Sequence, residues 1–494
     1  MTGSLTRAFP APVLRAHPRL SAPFPAGDHL VTQLDGRTGV QRLLPAGGAV
    51  PVDLRAHLDR YGTLPGAAAP GRIIAEVEAA GLTGRGGAAF PTHRKLAAAA
   101  NSRPAPVVAG NGAEGEPASS KDRSLLWISP HLVLDGLQVA AAAARSRTAV
   151  LYVPRSQRLH QRLAQAIAER AAMGMDAVMV ELRGAPDRFL AGEESALASN
   201  LAGQPALPGY RPVRGLPRTG PGQPVLVQNV ETLAHLALIA RYGANWFRTV
   251  GTEDEPGSML ATLHLPDGRM TVAEVPVGVR LADLLWPWGS GASPEDGEFP
   301  RTGGQGPGDG VTGAFRPSGG SGGSLPRANT VQAVLVGGYH GTWLPAAQAA
   351  RLPLANEALH PFGAGVGAGV VAALPAGRCG LAETARVARY LALESAGQCG
   401  PCFNGLPRIA AALGHLAGPR PDPRARADLD RWAGLAEGRG ACHHPDGSVR
   451  FIRSALRVFA AEVSLHEQGT CSGTNPQPFL PLPSDPPVAD TDWS

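Results

Sequence analysis

Three thiols stand at a spacing that makes a chelate: Cys399-Gly400-Pro401-Cys402, then Cys442 after 39 intervening residues. Thiolates spaced in this way bind an iron–sulfur cluster or a zinc ion. His443 and His444, next to Cys442, offer nitrogen ligands for the zinc alternative. With Cys379 and Cys471 the chain has five cysteines, too few and too uneven for a disulfide framework, which points to a reducing compartment.

Upstream, residues 81–95 read GLTGRGGAAFPTHRK and set Gly84, Gly86 and Gly87 around Arg85, between two helical patterns. Glycines let backbone N–H groups approach a phosphate, and a following helix N-terminus adds partial positive charge. Residues 111–123, NGAEGEPASSKDR, place Asn111, Glu114, Gly115 and Glu116 just beyond an expected strand, where open α/β sheets bind ligands. Lys95 and Lys121 are the only lysines among 45 basic residues, and both fall close to these turns. A compact ammonium fills a point-charge site that the planar fork of Arg does not; the simpler role for Lys121 is pairing with Asp122 or another local acid. In FLAGEESALASNL, residues 189–201, Gly192, Glu193 and Glu194 open a helix. Acids there complement the helix dipole or accept ribose and nicotinamide hydrogen bonds. In VQNVET, residues 227–232, Asn229 either caps a helix or reaches a ligand.

The elements that must position these residues alternate strand and helix from Val52 to Arg241, the pattern of a largely parallel α/β sheet. Val107–Ala109, Ala149–Val153 and Ala177–Leu182 read as strands, and Leu125–Ala144 and Arg158–Ala172 as helices. Past Gly257 come short extended runs, Met259–Leu265, Thr271–Val275 and Val331–Val336, with a Pro-Asp-Gly turn at 266–268. Residues 289–326 are rich in Gly, Ser and Pro and read as a disordered insertion. Four helical patterns follow, Ala382–Leu393, Phe403–Leu416, Arg424–Ala436 and Ser448–His466. The resulting division is an irregular arm (1–50), an α/β domain (51–254), a small β-rich domain (255–345), a helical domain (346–466) and a disordered tail (467–494).

At 494 residues and 44% hydrophobic content, the chain can bury several cores. Its net charge of +5 comes from scattered Arg, so no nucleic-acid partner is expected. No uninterrupted apolar run reaches the length of a membrane span.

Taken in order, GRGGAAFPTHRK, NGAEGEP, AGEESAL, VQNVET and ESAGQCGPC followed by Cys442 resemble the NADH-binding flavoprotein subunit of respiratory complex I. That family also includes subunits of NAD-linked hydrogenases and formate dehydrogenases. The resemblance covers residues from about 72 to 466. It implies an FMN-binding α/β domain, a β-grasp-like (SLBB-type) domain and a C-terminal helical iron–sulfur domain. It implies that Gly84, Arg85, Gly86, Gly87, Lys95, Asn111, Glu114, Gly192, Asn229 and Thr232 form the flavin site, with Glu116, Glu193 and Glu194 nearer NADH. Cys399, Cys402 and Cys442 would hold the cluster. No general base is required, because hydride passes from NADH to FMN and single electrons to iron–sulfur clusters. A small 2Fe–2S subunit and further iron–sulfur subunits are the implied partners, in a cytoplasmic assembly peripheral to a membrane complex.

Departures from the family pattern are Ala113 for an acid, Phe189 for Tyr, Gln228 for Asn, Arg214 for the Phe that stacks on adenine, and Phe403 for Arg. Ala396 stands in place of the first cluster cysteine. The cluster is then 4Fe–4S with a recruited ligand (Ser395, His443, Cys379 or Cys471), 3Fe–4S, or lost. A second reading is a degenerate homologue that retains the fold as a structural or regulatory subunit without NADH oxidation.

Overall fold

The computed structural model describes residues 40–45, 50–66, 69–210, 215–219, 222–285, 331–420, 422–483 and 493. Arg214, the insertion 289–326, the arm up to residue 39 and most of the chain beyond 483 lie outside the described residues.

Strands β1 (Val107–Asn111), β2 (Ala149–Pro154), β3 (Val180–Ala185) and β4 (Val225–Asn229) form a parallel sheet in the order β3-β2-β1-β4. Asn111 and Asn229 are in register at the carboxyl ends of neighbouring strands, so two of the sequence motifs are delivered side by side. The expected helix Leu125–Ala144 is two helices, Lys121–Ile128 and Pro130–Ala144, meeting at a 98° bend. Pro130 lacks an N–H and its ring cannot continue the first helix, but it suits the first position of the second. That second helix is buried almost all round and crosses Val230–Phe247 closely. Gly136 makes the crossing possible, since a Cβ there would lie 2.0 Å from the Leu233 carbonyl oxygen. Its apolar composition thus belongs to the core, and among the described residues no single helix is long and apolar enough to cross a membrane.

Asp135, on the same helix, is fully buried and ties four helices together. It meets His57 Nε2 at 2.8 Å, Arg170 Nη2 at 2.8 Å and Arg241 Nη2 at 2.6 Å. Burial alone would raise its pKa, but His57, Arg170 and Arg241 hold the carboxyl down at about 2.

The second sheet contains β5 (Ser258–His264), β6 (Met270–Pro276), β7 (Val331–Val336), β8 (Thr342–Pro345) and β9 (Val370–Pro375), in the order β6-β5-β9-β7-β8. β5 and β6 form the hairpin expected around Pro-Asp-Gly. β9 occupies the centre of the sheet, although it lies beyond the expected domain limit at residue 345. Its six apolar residues, VVAALP, are too short a run to be told from a buried helix segment by periodicity. Val40–Leu44, expected in the irregular arm, is strapped to this sheet: the amides of Arg42, Leu43 and Leu44 donate to the Glu274 carboxylate.

The C-terminal part packs helices Gly380–Leu393, Leu406–Leu416, Ala425–Ala436, His444–Val458 and Ala460–Glu467. The last two replace the single helix expected over Ser448–His466, with the break at Phe459 (φ −104°, ψ 31°). Residues 468–483 do not behave as a loose tail. Glu383 accepts from the amides of Phe479 and Leu480 at 3.0 and 3.1 Å, and Leu480 is buried in the helical core. Trp493 lies under the Arg188 guanidinium, 4.3 Å from the ring centroid.

Candidate flavin and cluster site

A cavity of about 600 Å³ lies beyond the carboxyl ends of β1 and β4. Gly86, Asn111, Glu114, Glu116, Gly192, Glu193, Asn229 and Cys442 all line it. Each is fixed by local chemistry. Asn111 Nδ2 donates to the Gly192 carbonyl at 2.7 Å, joining two motifs. Asn229 caps the helix Val230–Phe247 by accepting from Glu231 N at 3.0 Å, and donates to Asp122 at 2.7 Å. Gly115 allows the NGAEGEP turn to pass against the 189–192 segment, because a Cβ there would meet the Phe189 carbonyl oxygen at 2.4 Å.

The carboxylates serve the backbone first. Glu114 accepts from Ser119 Oγ, Asp122 N and Arg123 N at 2.7–3.0 Å, holding the start of the helix Lys121–Ile128. Burial and Asp122 push its pKa up. Glu116 accepts from Tyr339 N at 2.7 Å and Ala118 N at 3.2 Å, which links the turn to the loop after β7. Burial raises it to about 7, against those two amides. Glu193 caps the helix Glu194–Leu201 through one oxygen, taken by Ser195 N at 2.8 Å and Ala196 N at 3.0 Å.

Other residues of these motifs stand behind the cavity or, as Lys121 does, in its wall. The Arg85 guanidinium is turned inward to Thr83 and to the carbonyls of Pro256 and Ser258, while its amide donates to buried Thr232 Oγ1 at 2.9 Å. The glycine loop is thereby anchored to the second sheet. Gly84, Arg85 and Gly87 line a smaller adjoining hollow. Lys95 pairs with Glu194. Lys121 is buried and bonded to Asp122 Oδ1 and Glu231 Oε2, both at 2.8 Å. Burial would lower its pKa, yet the two carboxylates win and raise it. Lys121 is therefore a charge-balancing strut, as local pairing suggested.

Cys399, Cys402 and Cys442 converge. Cys399 stands just before the π-helical segment Pro401–Gly405 and Cys402 within it, and Cys442 precedes the helix His444–Val458. Burial, then the neighbouring Cys399 and Cys442, push the Cys402 thiol up to about 12. Cys402 is buried and the other two are half-buried. Thiols gathered so that their thiolates would repel one another are suited to a metal centre. Ser395 Oγ lies 3.4 Å from the Cys402 carbonyl, so a hydroxyl stands next to Ala396, which takes the place of the first cysteine. His444 is not a free ligand: its Nε2 contacts the Leu391 carbonyl at 2.8 Å and its Nδ1 contacts His340 Nε2 at 3.0 Å. Cys379 and Cys471 group with each other, apart from the three.

His340, Ala368 and the segment Ala441–His444 also line the cavity. The GGYHG run at 337–341 carried a readable turn signal, but its approach to Glu116 depends on a contact spanning 223 residues. The cavity is of the size that takes organic cofactors, and glycine backbone, amides and carboxylates frame it. These residues fit a flavin, and the thiols fit three corners of a cluster.

Comparison with known proteins agrees with this geometry. Residues 77–238 match the Nuo51 FMN-binding domain, and residues 382–466 match the NADH-ubiquinone oxidoreductase-F iron-sulfur binding region. The second F-type subunit of NADH-quinone oxidoreductase from Rhizobium meliloti is 28% identical over 419 residues, 81% of this chain and 90% of the relative. The F-type subunit of the same oxidoreductase from Streptomyces coelicolor is 29% identical over 423 residues, 82% of this chain and 84% of the relative. The NAD+-reducing NiFe-hydrogenase, solved in its H2-reduced state, superposes with a TM-score of 0.66 at 27% identity over 84% of this chain. The chain spans 64% of that hydrogenase chain's length. Both matched regions hold the expected motifs in the expected order: the chain carries a Nuo51-type FMN-binding domain and an F-type iron-sulfur binding region, and is similar along most of its length to F-type subunits of NADH-quinone oxidoreductase.

Proposed function

We propose that this chain is the NADH-oxidising flavoprotein subunit of a multi-subunit oxidoreductase. The observation that carries the reading is that one cavity is bounded both by the NGAEGEP, AGEE and VQNVET segments and by the cysteine loop at Cys442. FMN, when bound, accepts a hydride from NADH and releases electrons singly to iron–sulfur centres.

The chain's own contribution is position and electrostatics. Gly86 leaves the cavity floor open for close backbone approach, and Asn111 and Asn229 present amides from adjacent strand ends. Glu116 and Glu193 supply acceptors for ribose hydroxyls and the nicotinamide amide. Phe189, His340 and His444 pack edge-on or tilted against one another in the cavity wall, with ring centroids 4.9–5.7 Å apart. Burial drives both His340 and His444 to low pKa, the latter to about 4, so the wall stays uncharged. Ser395 is the side chain best placed to replace the missing thiolate.

The relatives are named as subunits, which supports working within an assembly; a small 2Fe–2S subunit is the proposed neighbour that receives electrons. The open cavity, framed by Gly86, Asn111, Glu114, Glu116, Glu193 and Asn229, favours this reading over a subunit retired from NADH oxidation. The test is anaerobic titration of the purified protein with NADH, with FMN, iron and sulfide quantified on the same sample. Bleaching of flavin absorption is expected; bound flavin that NADH leaves oxidised would overturn the assignment of the donor.

A further inference from the structure

A second group of metal-binding side chains lies in the helical domain, apart from the three cysteines above. Cys379, Glu462, His466 and Cys471 each offer one ligand atom, and these four atoms lie within 4.8 Å of one another. We propose that they form a zinc site that pins residues 471–475 to the start of the helix Gly380–Leu393.

The distances are close to those of a tetrahedral ligand set. Cys379 Sγ is 3.3 Å from His466 Nε2 and 3.6 Å from Glu462 Oε1, and His466 Nε2 is 3.2 Å from Glu462 Oε1. Zinc bonds of about 2.0–2.3 Å arranged tetrahedrally give ligand–ligand edges of about 3.3–3.8 Å. Glu462 and His466 are one turn apart on the helix Ala460–Glu467, which puts them on one face. Cys379 caps the helix Gly380–Leu393, and Cys471 comes from the loop beyond.

The surroundings suit thiolate and carboxylate ligands. Cys379 Sγ accepts from Ala382 N, and Cys471 Sγ from Gly473 N, both at 3.3 Å. Glu462 is oriented by Ser472, whose amide donates to Oε1 at 3.0 Å. Such outer contacts are what fix metal ligands in place. The amides of Thr474 and Asn475 both donate to the Gly377 carbonyl at 2.9 Å, so the loop is already held against the segment that carries Cys379. Two thiolates, an imidazole and a carboxylate favour zinc over the hard cations, which take oxygen. Cys471 is exposed, which gives the ion a route in.

The test uses the full chain with its flavin and iron, exposed to Zn²⁺ and then desalted. About one zinc per chain is expected, with a sulfur, nitrogen and oxygen shell at the zinc absorption edge. His466→Ala and Cys471→Ser should each lower retained zinc at least about tenfold while leaving flavin and iron content unchanged. Cys399→Ser should do the reverse, losing iron and keeping zinc. Wild-type protein that retains no zinc, that shows a Cys379–Cys471 disulfide by intact mass, or whose zinc is lost with Cys399→Ser would overturn the proposal. The wild-type absorption edge decides the matter even where a variant fails to fold.

Discussion

Glu116 faces a cavity proposed to take an anionic dinucleotide, and its carboxyl titrates near 7. The raised pKa means the neutral form prevails below that pH and the carboxylate above it. The apparent affinity for NADH should therefore weaken as pH climbs from about 6 to about 8. Glu116→Gln should flatten the profile of kcat/KM; a variant with the wild-type slope would refute the assignment. Lys121 makes a different kind of prediction. Replacing it by Met leaves Asp122 and Glu231 buried without their cation, which should cost about 3–5 kcal/mol, read from the shift in urea midpoint. At this scale the sequence is informative wherever residue type alone sets chemistry: the C-x2-C pair, the remote Cys442 and the caps at Glu193 and Asn229 are all legible. The inward turn of Arg85 is not, because its acceptors at Pro256 and Ser258 lie about 170 residues away and no local pattern announces them.

Among elements, the four helices gathered by Asp135 form the mechanical support for the parallel sheet. Asp135→Ala should cost about 3–5 kcal/mol, because Arg170 and Arg241 lose a buried counter-charge and His57 loses its hydrogen-bond partner. The wild-type contribution should persist above about pH 4, the ordinary carboxyl range, and disappear as pH falls through about 2, where the native group protonates. Acid denaturation followed by far-ultraviolet circular dichroism checks both statements. Strand positions are readable from apolar runs, but ends are not: β3 begins three residues later than its hydrophobic signal, since pairing with β2 sets its extent. The bend at Ser129–Pro130 has its proline in plain view, hidden by the unbroken apolar character on both sides.

For the whole molecule, the segment 468–483 decides how the last helices are closed over. Its Pro-rich composition suggests a free tail, yet Glu383 and the Tyr339 hydroxyl clamp its last residues, Glu383 accepting from the Phe479 and Leu480 amides and Tyr339 donating to the Pro481 carbonyl. Composition reports whether a segment can form a core of its own, not whether another core offers it acceptors. Glu383→Ala should free this stretch and make it the first site of limited proteolysis, whereas the wild-type chain should resist cleavage there. The order of the three parts is legible from motif order alone, while the placement of β9 depends on long-range pairing with β5 and β7.

The scarcity of lysine has a practical outcome. Lys121 is enclosed by its ion pairs with a side chain only 3% exposed, whereas that of Lys95 is 24% exposed, on the helix that follows the glycine loop. Amine-reactive esters should thus label one defined side chain with almost no competition from other lysines. A fluorophore attached there would sit beside the cavity's glycine edge, giving an optical reporter of ligand entry without any engineered residue.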